Sequence, residues 1–455
     1  MPELCEPEDP ADIYSELTFY DIEHDDEPDF YDDGEGWSID GALSEEELAM
    51  LNASREDARA DGSYFDSYGG VGIHREMIAD EARTGAYLAA IEAHADELRG
   101  KVVLDVGCGT GILAMFAARA GARKVYAVEA SGVAKHARRI VKDNGLDGVV
   151  EVIRGRMEDI GEDEIVEKVD CVLSEWMGYA LLFESMFDTV IEARDFLLKP
   201  GGAILPDVAV LHVAGFGRNA TSLPFWDDVY GFEMPSVQKS LAEDAIKNAI
   251  VAPVKGAHVV TDSREIKRLD LATVAAKDLD FTAAEVVLVA RTDGVRGDEP
   301  DSSIAAGAGE GATGLTQRSV VLDADAGGPV MVHGVVLWFD TLFSERFSAE
   351  TPGVLSTSPH ERQTHWAQTM LHFPEPIALN TPGGSETARG DETRMSGALG
   401  ALGARSNPCA SIRVRVGMAK CAEEERVRGL DVSLEYVTVG ASGEEGERKT
   451  RMYRV

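Results

Sequence analysis

The sequence predicts a two-part fold: an α/β domain with a doubly wound, Rossmann-like sheet over residues 63–206, then a mostly antiparallel β-barrel domain over 207–455, preceded by an acidic tail at 1–62. Three observations predict it. Residues 101–112, KVVLDVGCGTGI, run from an apolar strand into a glycine turn, and the helical stretch ILAMFAARAGA follows. Strand and helix patterns then alternate from Lys101 to Pro206, as a parallel sheet with crossover helices requires. Beyond Pro206 the period changes to two, in VAVLHVAGF, AEVVLVA, MVHGVVLWF, ASIRVRVG and LDVSLEYVTV, the pattern of half-buried antiparallel strands.

The elements follow in order. Residues 1–42 are acidic and broken by proline and glycine, so a disordered or loosely docked tail is expected. LSEEELAMLNASREDARA reads as a short helix, with Ser44 as N-cap and Glu47 completing a capping box. Ser63 to Ala95 keeps helical spacing. The glycines of PGG at 200–202 and Pro206 close the α/β region. A helical interruption from Phe225 to about Ala249 divides the strands. Residues 294–328 and 380–408 are rich in Gly, Ala and Ser and read as flexible surface insertions.

Composition limits the function. The chain has 455 residues, 44% of them apolar, and a net charge of −38. Up to Ser63, 22 acidic residues face only Arg55 and Arg59, a charge of −20 and more than half of the total. Direct DNA or RNA binding is disfavoured, because phosphate needs a basic surface. Basic partners are favoured through long-range steering, although an acid-rich soluble protein explains the charge as well. The cysteines at 5, 108, 171, 409 and 421 form no CxxC pair, so neither a disulfide framework nor a metal site is expected. The N-terminus lacks the basic-then-apolar pattern of a signal peptide, and no apolar run approaches a membrane span. A cytoplasmic, and also nuclear, location is expected.

Two segments carry chemistry. The glycine turn, spaced GxGxG at Gly107, Gly109 and Gly111, lets backbone approach a ligand, and KVYAVEA ends in Glu129, 18 residues after Gly111. An acid there suits the two ribose hydroxyls of an adenosine. No pyrophosphate cradle is evident, which favours S-adenosylmethionine over NAD. In SEWMGYALLFESM, Glu175 and Glu184 bracket Gly178 and Tyr179, which can turn the chain back. Two carboxylates facing across a slot repel unless a cation lies between them, and a guanidinium fits best. The same pattern also fits a buried strand with solvated ends.

Five blocks in order now resemble the protein arginine N-methyltransferase family: YFDSYGGVGIHREMIADEART, VLDVGCGTGIL, SEWMGYALLFESM, LPFWDDVYGF, and the STSP–THW pair. The resemblance runs from Tyr64 to the C-terminus. It is closest to the asymmetric-dimethylating (type I) members, and in wording to the member that normally carries an N-terminal zinc finger; no C-x2-C…H-x3–5-H unit occurs in this sequence. The resemblance implies S-adenosylmethionine as cofactor, basic Arg-Gly-rich proteins as substrates, and a homodimer made through a helical arm at about 223–249. It implies that Glu175 and Glu184 clamp the substrate guanidinium, and that His365 with Asp80 takes up the released proton; a bracing role for His365 stays open. Arg83 and His74 are implied for the methionine carboxylate, with Arg83 the stronger candidate. Gly107, Gly109 and Glu129 are implied for the adenosine, Asp105 for orienting the loop, and Met157 and Glu158 for the adenine ring and amine. Phe65 and Tyr68 belong to a helix expected to fold over the cofactor, and Tyr64 to that helix or to plain packing. Met77 and Met186 are implied beside the methyl-accepting nitrogens, where bulk steers product geometry, and Trp366 as packing or groove wall. Two other readings remain: a methyltransferase of another substrate class, and a catalytically weak paralogue acting as a regulatory partner. Gly69–Gly70, where relatives carry bulkier residues, and the two insertions are the departures from the family, and the glycines are expected to loosen the N-terminal helix and weaken cofactor closure.

Overall fold

The computed structural model describes residues 62, 64–161, 163–291, 329–343, 353–381, 408–421 and 428–455. The expected acidic tail, its Ser44-capped helix, and almost all of the two Gly/Ala/Ser-rich insertions lie outside the described residues.

Helical residues 64–67 lead through Gly69–Gly70 into α1 (Val71–Ala79). Asp80 then caps α2 (Glu81–Ala93), its carboxylate accepting from the Arg83 backbone N–H at 3.0 Å. That bond satisfies one of the orphan donors of a helix start. After α3 (Ala95–Leu98) come β1 (Val102–Val106), α4 (Ile112–Arg119), β2 (Lys124–Glu129), α5 (Ala134–Asp143), β3 (Val150–Arg154), β4 (Val169–Ser174), α6 (Met186–Leu197) and β5 (Leu198–Leu205). The five strands pair in the order β3-β2-β1-β4-β5, all parallel. β1 is buried along its whole length, as a central strand covered on both faces must be. The order reverses between β1 and β4, so a crevice opens beyond their carboxyl ends. Ser174 Oγ ties those two ends together by donating to the Val106 carbonyl at 2.9 Å.

The chain crosses at once into β6 (Val208–Phe216), which lies between β11 and β8 in an antiparallel sheet ordered β7-β13-β11-β6-β8, with β7 at Ile250–Ala252, β8 at Val259–Asp270, β11 at Val330–Phe343 and β13 at Gln368–Leu379. A short strand β12 (Gly353–Ser356) pairs with β11. The second antiparallel sheet is β10-β14-β15-β16, at Val286–Leu288, Ser411–Lys420, Leu430–Val439 and Lys449–Arg454, with β9 (Phe281–Thr282) on β14. Of the expected strand AEVVLVA, only Val286–Leu288 joins the ladder. The helical interruption consists of a 3₁₀ turn at Leu223–Asp227 and α7 (Pro235–Ala245).

The hydrophobic core continues from the parallel sheet into the antiparallel ones. Three contacts fix the junction that positions the site. Tyr87 of α2 meets Phe343 of β11 edge-on at 4.9 Å. Arg194 of α6 donates to the carbonyls of Leu271 and Val274 at 2.8 and 2.7 Å. Trp366 Nε1 donates to the Met177 carbonyl at 2.7 Å. Among the described residues no helix is long and apolar enough to cross a membrane.

Candidate active site

A cavity of about 240 Å³ fills the crevice at the ends of β1 and β4. Its floor is the glycine turn after β1. Gly107 and Gly109 hold φ values of 71° and 55°, a region that favours glycine. A Cβ on Gly107 would lie 2.3 Å from Met186 Cε, the mobile end of a flexible side chain, and one on Gly109 3.0 Å from His74 Nδ1, so φ is the firmer reason for glycine at both positions. Glu129, at the end of β2, is fixed by two backbone N–H donors: Gly109 to Oε2 at 2.8 Å and Ser131 to Oε1 at 2.7 Å. Met157 and Glu158 follow β3 and line the same end, with Thr189 Oγ1 of α6 donating to Glu158 at 2.6 Å.

The double-glutamate segment follows β4. It doubles back as expected, but the turning residues differ from the sequence reading. Gly178 and Leu181 exchange backbone hydrogen bonds at 3.1 and 3.0 Å, and the left-handed backbone falls on Ala180 and Leu181, then on Glu184 and Ser185. Gly178 serves close approach instead: a Cβ there would lie 2.0 Å from the Phe183 carbonyl oxygen. Glu175 and Glu184 both line the cavity. Glu175 Oε2 accepts two bonds from Arg83, Nε at 3.0 Å and Nη2 at 2.7 Å, whereas its Oε1 is buried without a partner. Glu184 accepts from Tyr64 OH at 2.7 Å and from Tyr68 OH at 3.0 Å. Burial raises the Glu184 carboxyl above the usual range, the two tyrosine donors pull it back, and the charge of Glu175 raises it again. The phenols of Tyr64 and Tyr68 are pushed far up, first by burial and then by the Glu184 charge, so they act as donors only.

At the barrel side, His365 Nδ1 donates to Asp80 Oδ2 at 2.8 Å, and the His365 backbone N–H donates to the same oxygen at 2.9 Å. The ring lies 4.0 Å from that of Trp366, centroid to centroid. Burial alone would raise the Asp80 carboxyl, but the bonds from His365 and Arg83 hold it below its ordinary value. Both His365 and Trp366 line the cavity.

All the residues assigned from the sequence gather on this cavity except two. Asp80 stands behind His365, and Asp105 behind the glycine turn; neither lines the cavity. Asp105 is wholly buried and accepts from the Ala114 backbone N–H at 2.9 Å, which ties β1 to α4. Burial pushes its carboxyl up to about 7, against the lowering effect of that amide. Two other assigned residues also hold partners within the chain. His74 lies in the cavity wall, where its Nε2 donates to the Tyr68 carbonyl at 2.9 Å and its Nδ1 faces Gly109. Arg83 is not free for a ligand carboxylate alone: it spends two donors on Glu175 and a third on the Met77 carbonyl at 3.2 Å, so it links the glutamate to the cavity.

The sequence reading missed Arg428. It lies just before β15, 244 positions from Glu184, and its guanidinium enters the cavity wall over Tyr64 and Phe65. No local pattern in ERVRGL marks it, because its partners are supplied by the fold.

Comparison with known proteins bears on this geometry. The family model described as a methyltransferase domain matches residues 103–202, and that described as an arginine methyltransferase oligomerization subdomain matches 207–386. The chain is similar to probable protein arginine N-methyltransferase 3 of Arabidopsis thaliana, 42% identical over 400 residues, covering 86% of this chain and 59% of that protein. It is similar to probable protein arginine N-methyltransferase 6.1 of Oryza sativa subsp. japonica, 38% identical over 364 residues, covering 74% and 83%. The chain thus spans about three fifths of the length of the first of these relatives. Among solved structures it resembles the Trypanosoma brucei PRMT1 enzyme-prozyme heterotetrameric complex with AdoHcy, with a TM-score of 0.63 and 33% identity over 86% of this chain and 100% of that one. It also resembles Arabidopsis thaliana protein arginine methyltransferase 10 in an open conformation, with a TM-score of 0.63 and 28% identity over 86% and 99%.

Proposed function

The chain belongs to the protein arginine N-methyltransferase family, and we propose that it transfers methyl groups from S-adenosylmethionine to guanidino nitrogens of protein arginines, giving monomethyl- and asymmetric dimethylarginine. The observation that carries this reading is the buried, unpartnered Oε1 of Glu175 in the same cavity as Glu184. An unsatisfied buried carboxylate oxygen costs free energy, and an incoming guanidinium N–H removes that cost.

The inner end of the cavity fits the cofactor. Gly107 and Gly109 put no Cβ between backbone and ligand, and Glu129, already oriented by two amides, keeps lone pairs for ribose hydroxyls. Met157 offers an apolar face to adenine and Glu158 an acceptor to its amine. The remaining donors of Arg83 suit a carboxylate. When bound, S-adenosylmethionine supplies a methyl group on a positively charged sulfur.

The chain's own residues do the rest. Glu175 and Glu184 accept guanidinium N–H bonds, hold the group in attack geometry, and draw its positive charge toward the nitrogens they touch. That leaves the target nitrogen more nucleophilic. Tyr64 and Tyr68 keep the Glu184 carboxylate from turning away. His365, held at Nδ1 by Asp80, takes the released proton at Nε2. Met77 and Met186 both line the cavity, and their bulk favours a second methyl on the same nitrogen, the type I outcome. Arg-Gly-rich segments of basic proteins are the substrate class, drawn by the net charge of −38. A homodimer forms through the arm at about 223–249.

The test is incubation with methyl-labelled S-adenosylmethionine and an Arg-Gly-rich peptide, followed by hydrolysis and product analysis. Label in monomethyl- and asymmetric dimethylarginine is expected. Unlabelled arginine overturns the activity; symmetric dimethylarginine as main product overturns the type alone.

A further inference from the structure

We propose that Arg428 is a positioning residue that latches the Tyr64–Tyr68 turn over the cofactor end of the cavity and, with the same side chain, sets the backbone of Glu184; the proposal rests on the methyltransferase reading above. Gly69–Gly70 separate the turn at 64–67 from α1, so the hydrogen-bond ladder of α1 does not extend into it. Its placement over the cavity is set by its side-chain contacts.

Arg428 touches it twice. The guanidinium carbon lies 4.0 Å from the Tyr64 ring centroid and 5.1 Å from that of Phe65, and those rings meet each other edge-on at 5.2 Å. A planar cation over an aromatic face is attracted by the ring quadrupole, and arginine stacks where lysine cannot. On its other side the residue exchanges backbone-directed bonds with Glu184. Arg428 Nη1 donates to the Glu184 carbonyl at 2.8 Å, and the Glu184 N–H donates to the Arg428 carbonyl at 2.9 Å. Glu184 holds φ at 76°, a left-handed conformation that a glutamate does not choose unaided. Its side chain meanwhile accepts from Tyr64 and Tyr68. The contacts close a ring: Arg428 to the Tyr64 face, Tyr64 hydroxyl to the Glu184 carboxylate, Glu184 backbone back to Arg428. Lid closure and carboxylate placement thus share one cation, contributed by the barrel. A second contact holds β14, the neighbour of β15, to the cofactor domain, Lys420 Nζ donating to Asp188 of α6.

The test compares the full-length wild type with Arg428→Ala and Arg428→Lys by calorimetric titration of S-adenosylhomocysteine, by hydrogen exchange of residues 64–70 with and without that ligand, and by kcat and KM. The latch predicts that Arg428→Ala weakens S-adenosylhomocysteine about tenfold, the scale of a lost stacked cation and its bonds. Ligand-induced protection of 64–70 is lost, and kcat falls by at least as much, with peptide KM nearly unchanged. Arg428→Lys, which keeps charge but not the planar fork, falls between. Arg428→Ala with wild-type affinity and exchange overturns the latch. So does a lower active fraction whose remaining molecules bind normally, since that is the mark of a merely structural residue. A wild type that binds no S-adenosylhomocysteine overturns the methyltransferase reading and this proposal with it.

Discussion

Glu184 is buried beside another carboxylate, and the cost of keeping it ionised is offset by donors rather than by distance. The balance has a sign that can be measured. Burial and Glu175 raise its pKa, and the hydroxyls of Tyr64 and Tyr68 lower it. The clamp works only as a carboxylate, so the rate rises with pH as Glu184 loses its proton. Tyr64→Phe removes one lowering donor and moves the acid limb of kcat/KM to higher pH, by about one unit for a charge-assisted bond. A pH–rate profile on an Arg-Gly-rich peptide checks this; an unmoved limb, or one displaced to lower pH, would show that the Tyr64 bond does not stabilise the ionised form. Glu175 needs no such support, because Arg83 already meets one of its oxygens at 2.7 Å. The two acids thus sit in one slot with different partners. Their sequence neighbours, Trp176 and Phe183, gave no sign of that difference, since Arg83 and Tyr64 come from 92 and 120 positions away.

The double-glutamate segment and the glycine turn were both readable as elements, because each is local: strand and turn residues are contiguous in sequence, and the acids lie in the same or the next strand unit. What local reading misjudged is why a residue is there. Gly178 looked like a turning residue, yet the left-handed angles fall on Ala180 and Leu181, and Gly178 is required by the Phe183 carbonyl against which it lies. Backbone cannot yield as a flexible side chain can. Gly178→Ala therefore forces the segment open and displaces both carboxylates, and we expect kcat/KM to fall about a hundredfold, the effect of a misplacement near 1 Å. Cofactor affinity should change much less, since Glu129 and the glycine turn lie on other elements. Parallel titration and steady-state kinetics separate the two; an alanine variant with wild-type turnover would mean that the segment relaxes without cost. His74 and Asp105 show the same limit. Residue type suggested a ligand contact for His74, which the fold also uses to hold the Tyr68 carbonyl; Asp105, expected to orient the glycine loop, ties β1 to α4 behind it.

Across the chain, the change from mixed to period-two patterning near Pro206 located the join between the parallel and antiparallel sheets, since burial on two faces or one dictates that pattern. The pieces that span the join, Trp366 on Met177, Arg194 on Leu271 and Arg428 on Glu184, are single long-range contacts and leave no periodic trace. The arm combines both kinds of information. The LPFWDDVYGF block supplies its aromatic residues, and the structure leaves Phe225, Tyr230 and Phe232 64%, 99% and 70% exposed. Its rigidity was not visible: Arg218 grips Asp227 with two bonds, at 2.5 and 2.7 Å, and Gln238 donates to the same carboxylate at 2.7 Å and to the Leu223 carbonyl at 2.9 Å. A braced segment presenting three apolar rings to solvent costs little further ordering when it docks, which favours association over local collapse. We therefore expect a dimer at micromolar concentration in sedimentation velocity. Replacing Phe225, Tyr230 and Phe232 together by serine should give a monomer whose melting temperature stays close to that of the parent, because these rings contribute little to packing within one chain. Arg218→Ala should weaken the dimer by a smaller factor, about tenfold, through loss of pre-organisation alone. A wild type that sediments as a monomer, or a triple variant that remains dimeric, would place the arm outside the interface and leave its exposed rings without an association to serve.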